Sequence, residues 1–125
     1  MKKKKLKSLK KLKLEADRVF SHFIRNRDKH KCYTCGKELE DNQSQCGHYI
    51  SRSYLALRYD ERNCHCQGVE CNVFKSGNMA VYAIRLTEQF GYSILEEFER
   101  NKLNNVGDTR TFLNGIIKKY GNNND

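Results

Sequence analysis

Residues 32–72 read CYTCGKELEDNQSQCGHYISRSYLALRYDERNCHCQGVECN, and the order of cysteine, histidine and asparagine in this stretch decides the fold. Cys32 and Cys35 form a CxxC followed by Gly36, the form of a zinc knuckle, in which a tight turn aims two thiolates at one ion. A closed tetrahedral site needs a second pair, and Cys66 and Cys71 offer it with four residues between them. A lone CxxC is also a redox motif, but no βαβ pattern surrounds this one. Between the two pairs stand His48 and, fifteen residues on, Asn63; Asn72 follows directly on Cys71. Each taken singly reads as a surface histidine, a turn asparagine or a helix cap. Their succession is the informative feature.

Outward from this stretch the chain is helical. Leu9, Leu12, Ala16, Val19, Phe20, Phe23 and Ile24 recur at steps of three and four, which predicts an amphipathic helix over about residues 8–28. Its polar face carries Lys10, Lys13, Asp17 and Arg25. Downstream, Val81, Tyr82, Ile84, Leu86 and Phe90 predict a helix from Asn78 that Gly91 ends. Ser93 with Glu96 has the form of a capping box for a helix bearing Leu95, Phe98 and Leu103. Asp108 suits the cap of a last helix with Phe112, Leu113, Ile116, Ile117 and Tyr120. Core packing is the plain reading of these later stripes.

With 125 residues, 38% of them hydrophobic and 31% charged, the chain is thin in apolar core, and six cysteines suggest a metal staple. Lysines interrupt every leucine run near the N-terminus, so no export signal and no membrane span is expected there. In the cytoplasm such thiols stay reduced, which favours metal ligands over disulfides. The net charge of +9 lies mostly in residues 1–13, with eight lysines and no acid; beyond them 16 basic residues face 15 acidic ones. A basic arm of this kind suits nucleic acid phosphates. No Walker loop, HExxH or GxSxG occurs, which removes NTPase, zincin and serine-hydrolase chemistry.

FIRNRD (23–28), CYTCGK (32–37), CGHYISR (46–52), LRYDERNCH (57–65) and CNVFKSGN (71–78) follow one another in a consistent order over most of residues 14–100. In them the chain resembles the HNH (ββα-metal) endonucleases, and more closely the phage NinG (Rap) recombination proteins. The resemblance implies an α+β fold: a basic N-terminal helix, a zinc-stapled ββα core and C-terminal helices. The expected organisation is a lysine-rich tail at 1–13, one nuclease-like domain at 14–121 with its core at about 30–78, and a disordered end at 122–125.

For the site, the resemblance implies that His48 activates water, that Asn63 braces the hairpin loop, and that Asn72 holds a catalytic Mg²⁺ or Mn²⁺. One structural zinc per chain is expected on the cysteines. The activity implied is metal-dependent, structure-selective cleavage of branched DNA in phage recombination. The residue types fit that chemistry. An imidazole titrates near neutrality, a cation offsets charge on the phosphorane, and an amide oxygen suits a hard ion.

Two positions depart from the family pattern. Gly47 stands where many HNH enzymes place an acid, so a second ligand for the catalytic ion falls to His65, Asp60 or water, His65 being taken first. Gly68 stands where relatives place a cysteine, so Cys66, Cys64 and Cys46 compete for the fourth zinc position. Cys66 is preferred, because its loop to Cys71 contains Gly68 for a left-handed turn. Cys46, two before His48, shares its strand face, and a thiolate there would draw zinc to the catalytic side. Arg52 and Lys75, with Lys2, Lys3, Lys4 and Lys5, are the candidate phosphate contacts. The expected partner is DNA, junctions above all, in the cytoplasm of a host cell. A homodimer would suit two symmetric cuts. The other function in view is a zinc-stabilised DNA-binding or strand-pairing module without cleavage.

Overall fold

Ser8 opens the first helix by accepting a hydrogen bond from the Lys11 N–H at 3.1 Å. Helix α1 then runs Leu9–Arg27 and buries Leu12, Ala16, Val19, Phe20 and Ile24, the stripe legible in the sequence. Its first turns therefore take in part of the lysine-rich segment. The structure, a computed structural model, describes residues 5–121. Lys2, Lys3 and Lys4 of the basic tail and the end at 122–125 lie outside the described residues.

The core of the chain is a two-stranded antiparallel sheet, β1 (Ser44–His48) and β2 (Cys64–Gly68), which pairs His48 with Cys64 and Cys46 with Cys66. Paired residues share a face, so Cys46, His48, Cys64 and Cys66 lie on one side and Gly47, His65 and Gln67 on the other. On the first side Cys64 joins the core of α1 and of α5 (Thr109–Gly121), with Phe20, Ile24, Leu113 and Tyr120. Phe20 meets Tyr120 edge-on at 4.9 Å. As the sequence predicts, Asp108 caps α5, accepting from the Thr111 N–H and hydroxyl at 2.9 Å.

The free edge of β2 is covered by the end of α1. Asp28 accepts the Cys66 N–H at 2.8 Å, and Arg27 donates to the carbonyls of Cys64 and Glu61 at 2.8 and 2.7 Å. These are the last two residues of FIRNRD; without them the backbone groups would stand unpaired.

Between the strands lies the short helix α2 (Leu55–Arg58). After β2 the chain makes one π-helical turn, Glu70–Phe74, then a left-handed run at Ser76, Gly77 and Asn78. Helices α3 (Met79–Phe90) and α4 (Ser93–Asn101) follow. They form a second core of Ile50, Leu57, Tyr82, Leu86, Ile94 and Phe98. The result is an α+β fold with a ββα-like arrangement. Two details of α4 differ from the sequence reading. Ser93 is already inside the helix and makes no capping bond, since Tyr92 takes helical angles before it. Leu103 lies past the last turn and is 80% exposed, leaving Ile94 and Phe98 as the buried residues. No helix among the described residues is long and apolar enough to cross a membrane.

Candidate active site and cysteine clusters

His48 is the last residue of β1, and its Nε2 lies 2.8 Å from the Arg58 carbonyl oxygen. A carbonyl only accepts, so Nε2 carries the proton and Nδ1 keeps its lone pair. Burial, followed by the nearby charges of Arg58 and Arg52, holds the ring below the usual histidine range, although the Arg58 carbonyl and Asp17 pull the other way. The ring is therefore neutral at pH 7.

Arg58 is itself held in place. Its guanidinium grips the Asp17 carboxylate of α1 with both Nε and Nη2, the former at 2.9 Å, and the Tyr59 hydroxyl donates to the same carboxylate at 2.7 Å. Burial opposes the Asp17 charge, but these bonds outweigh it and lower its pKa. Asp17 reads in the sequence only as a polar-face residue. The neighbouring residues are tethered too: Tyr120 donates to Glu61 at 2.7 Å, and Arg62 forks onto Glu97 of α4 at 2.6 and 3.2 Å. Asn63, fully buried, accepts from the Ile50 N–H at 2.7 Å and donates to the carbonyls of Ile50 and Leu57 at 3.0 Å. One side chain thus closes the loop between His48 and β2.

His48 lines a cleft of about 490 Å³ together with Gln45, Cys46, Arg52, Arg58 and Asn72. The Asn72 amide donates to Gln45 Oε1 at 2.7 Å, which leaves Asn72 Oδ1 as a free acceptor. Arg52 is exposed at this cleft; Lys75 is exposed beyond the π-helical turn and Lys5 lies on the exposed segment before α1. Gly47 has a packing cause. A Cβ there would lie 1.8 Å from Oε1 of Gln67, which is buried and donates to Thr34 and Gly77. A ligand side chain at that position would have to displace the buried Gln67 amide.

His65 is not brought to the cleft. On the opposite sheet face, its ring stacks on Tyr33 at 3.7 Å, with Nδ1 3.1 Å from the Tyr82 hydroxyl. Burial first, then the Arg27 charge, press its pKa down to about 4. Asp60 is occupied in its own turn, accepting from the N–H groups of Arg62 and Asn63.

The sulfur atoms of Cys32, Cys35 and Cys71 lie within 4.8 Å of one another, a candidate metal cluster. Burial alone would raise the Cys32 thiol. Hydrogen bonds from the Cys35 N–H, the Thr34 hydroxyl and the N–H groups of Gly68 and Thr34 bring it down to about 6 instead. Cys66 is not among the three. It is fixed in β2 opposite Cys46, and burial pushes its thiol up to about 12. Gly68 has its backbone beside Cys32, but a Cβ there would meet Leu39 at 2.9 Å. A second cluster, its donor atoms also within 4.8 Å of one another, joins Cys46, His48 and Cys64. None of the six cysteines is in a disulfide.

An α+β chain with a ββα-like core, two Cys/His clusters and a histidine-bearing cleft is the class of protein these features define. Residues 1–123 match the family described as Bacteriophage Lambda NinG protein, and the chain belongs to that family. It is 39% identical over 89 residues to Protein ninG of Escherichia phage 933W, covering 70% of this chain and 44% of that one. It is 40% identical over 87 residues to Protein ninG of Salmonella phage P22, covering 68% and 42%. With Protein ninG of Escherichia phage lambda the identity is 38% over 89 residues, covering 70% and 43%. The chain thus matches less than half the length of these curated relatives. No solved structure matches it at a significant level.

Proposed function

We propose that this chain is a metal-dependent DNA endonuclease with His48 as its general base, acting on branched DNA of the kind formed in phage recombination. The observation that carries the reading is the His48 ring, held through Nε2–H by the Arg58 carbonyl, in a cleft shared with Asn72 and three arginines. Nδ1 takes a proton from water as its oxygen attacks the phosphorus of a phosphodiester. The depressed basicity of the ring keeps it ready at neutral pH. Arg52 faces the cleft as a phosphate contact, and Asp17, through Arg58, positions the peptide that orients His48. Asn63 holds the loop in shape and is a positioning residue.

A hard divalent cation, Mg²⁺ or Mn²⁺, would be held by Asn72 with Gln45 beside it; when bound, it offsets charge on the phosphorane and the departing oxygen. Cys32, Cys35 and Cys71 fit a structural zinc, since their sulfurs converge and N–H groups already favour the Cys32 thiolate. Lysines of the N-terminal segment and Lys75 add phosphate contacts away from the chemistry.

The second reading, a DNA-binding module without cleavage, draws on one observation. The cleft's oxygen donors near Asn72 are neutral amides, and its carboxylate, Asp17, is committed to Arg58 and Tyr59. Incubation with Mg²⁺ or Mn²⁺ and a set of junction, forked, single- and double-stranded DNAs separates the two. The wild-type chain should cut branched DNA, and His48→Ala should bind it equally well without cutting. Normal turnover by folded His48→Ala would refute the assignment of the base.

A further inference from the structure

Cys46, His48 and Cys64 are three soft or borderline metal ligands on one face of the hairpin, and their donor atoms lie within 4.8 Å of one another. The geometry points to a second metal site here, one that takes a zinc-like ion and, by engaging the His48 ring, switches off the proposed nuclease. The regulatory half of this inference rests on the endonuclease reading; the metal site does not.

Register creates the trio. His48 is paired directly with Cys64, and Cys46 lies two residues before His48 on the same side. His48 and Cys64 are also anchored on one peptide unit: His48 Nε2 is 2.8 Å and Cys64 Sγ 3.5 Å from the Arg58 oxygen. In a tetrahedral zinc site, bonds of about 2.3 Å to sulfur and 2.0 Å to nitrogen place neighbouring ligand atoms roughly 3.5–3.8 Å apart. Separations of up to 4.8 Å close to that by small rotations of the three side chains.

Charge and access favour the site as well. Zn²⁺ with two thiolates and a neutral imidazole is electrically neutral, so the fully buried Cys64 need not carry an isolated anion. Binding releases the two thiol protons to solvent. Cys46 and His48 both line the 490 Å³ cleft, so an ion can reach them and its fourth position can face solvent. Core packing accounts for Cys64, and Cys46 packs in part against the same core. Packing does not account for a histidine converging on both thiols beside an open cleft.

The two clusters share no residue, so they can be titrated apart. The full chain, stripped of metal under reducing conditions, would be titrated with Co²⁺ and followed by thiolate-to-cobalt charge transfer. Two equivalents are expected. Cys46→Ser and His48→Ala should each lose one of the two, and Cys71→Ser should lose the other. Cys64 is buried, so Cys46→Ser carries the test should Cys64→Ser fail to fold. A single equivalent in the wild type, unchanged by Cys46→Ser, would overturn the site. Cleavage supplies the second readout: added Zn²⁺ should suppress wild-type cutting in Mn²⁺, while Cys46→Ser should cut and resist Zn²⁺. Equal suppression of both proteins would overturn the regulation. Two cobalt equivalents with the stated losses, in a chain that cuts no DNA, would uphold the metal site and reject the endonuclease.

Discussion

Asn63 offers the sharpest test of how this hairpin is built. Its amide accepts one hydrogen bond and donates two, all to backbone of the loop it closes, at 0% exposure. Asn63→Ala removes all three and leaves the Ile50 N–H without its acceptor. A buried group so stranded costs about 1–3 kcal/mol, and the two lost donations add to it, so a loss of roughly 3 kcal/mol is expected. Asn63→Asp has the same shape and keeps the Ile50 bond, but it turns an oxygen toward the carbonyls of Ile50 and Leu57. As a buried carboxylate it should lose at least as much at pH 7, about 4 kcal/mol. It should also titrate high in the folded chain. The folded variant then binds a proton before the unfolded chain does, so it regains stability relative to wild type as pH falls from its raised folded pKa toward about 3.9. Small domains have only about 5–15 kcal/mol in total, and urea slopes of about 1–3 kcal/mol/M make either loss a shift of 1 M or more in midpoint. Urea unfolding at pH 7 and pH 5 measures both effects. A loss under about 1 kcal/mol for Asn63→Ala, or an Asn63→Asp protein as stable as wild type at pH 7, would refute the bracing role.

Two further outcomes follow from the same structure. His65 is neutral when folded, with a pKa near 4, against about 6.5 unfolded. As pH falls between those values the unfolded chain gains the proton first, so between pH 7 and pH 5 wild type should lose about 2 kcal/mol that His65→Gln does not lose, read by urea unfolding at the two pH values; parallel losses in the two proteins would reject the buried neutral ring. Cys71→Ser should abolish zinc binding at the knuckle and lower the melting temperature, as chelation should in wild type, whereas Cys66→Ser should leave zinc content intact; metal analysis with thermal unfolding decides, and zinc lost with Cys66→Ser would place that thiol in the shell after all.

Much of this was legible in the residues. The three- and four-residue repeat in α1 marks its buried face, because helix periodicity needs no partner to be read. The sequence pattern also joins Cys32 and Cys35 to Cys66 and Cys71, and of that second pair the fold gathers Cys71 with them. Long-range polar pairs left no such mark. Asp17 and Arg58 are separated by 41 residues, and nothing local to either says that one holds the peptide orienting His48. The Ser93 capping box failed for a similar reason: the motif is right, but Tyr92 extends the helix one residue earlier.

The hardest part to foresee was the side of the sheet on which each of Cys64, His65 and Cys66 would fall, and register alone settles it. Side chains alternate with period two, so a slip by one residue would pair His48 with His65 and carry His65 to the cleft face. The observed pairing of His48 with Cys64 does the opposite: it adds the Cys64 thiol to that of Cys46 beside His48 and hides His65 behind Tyr33. What excludes the slip is the rest of the hairpin. Gln67 would turn toward the apolar side occupied by Phe20 and Ile24 and would lose its bonds to Thr34 and Gly77. Cys64 would leave that core, and Gly47 would no longer make room for the Gln67 amide. Tyr49 N–H would also lose the Asn63 carbonyl that continues the ladder past His48. Gln67 and Gly47, neither of them a ligand of the knuckle, therefore determine that Cys64 rather than His65 stands beside His48.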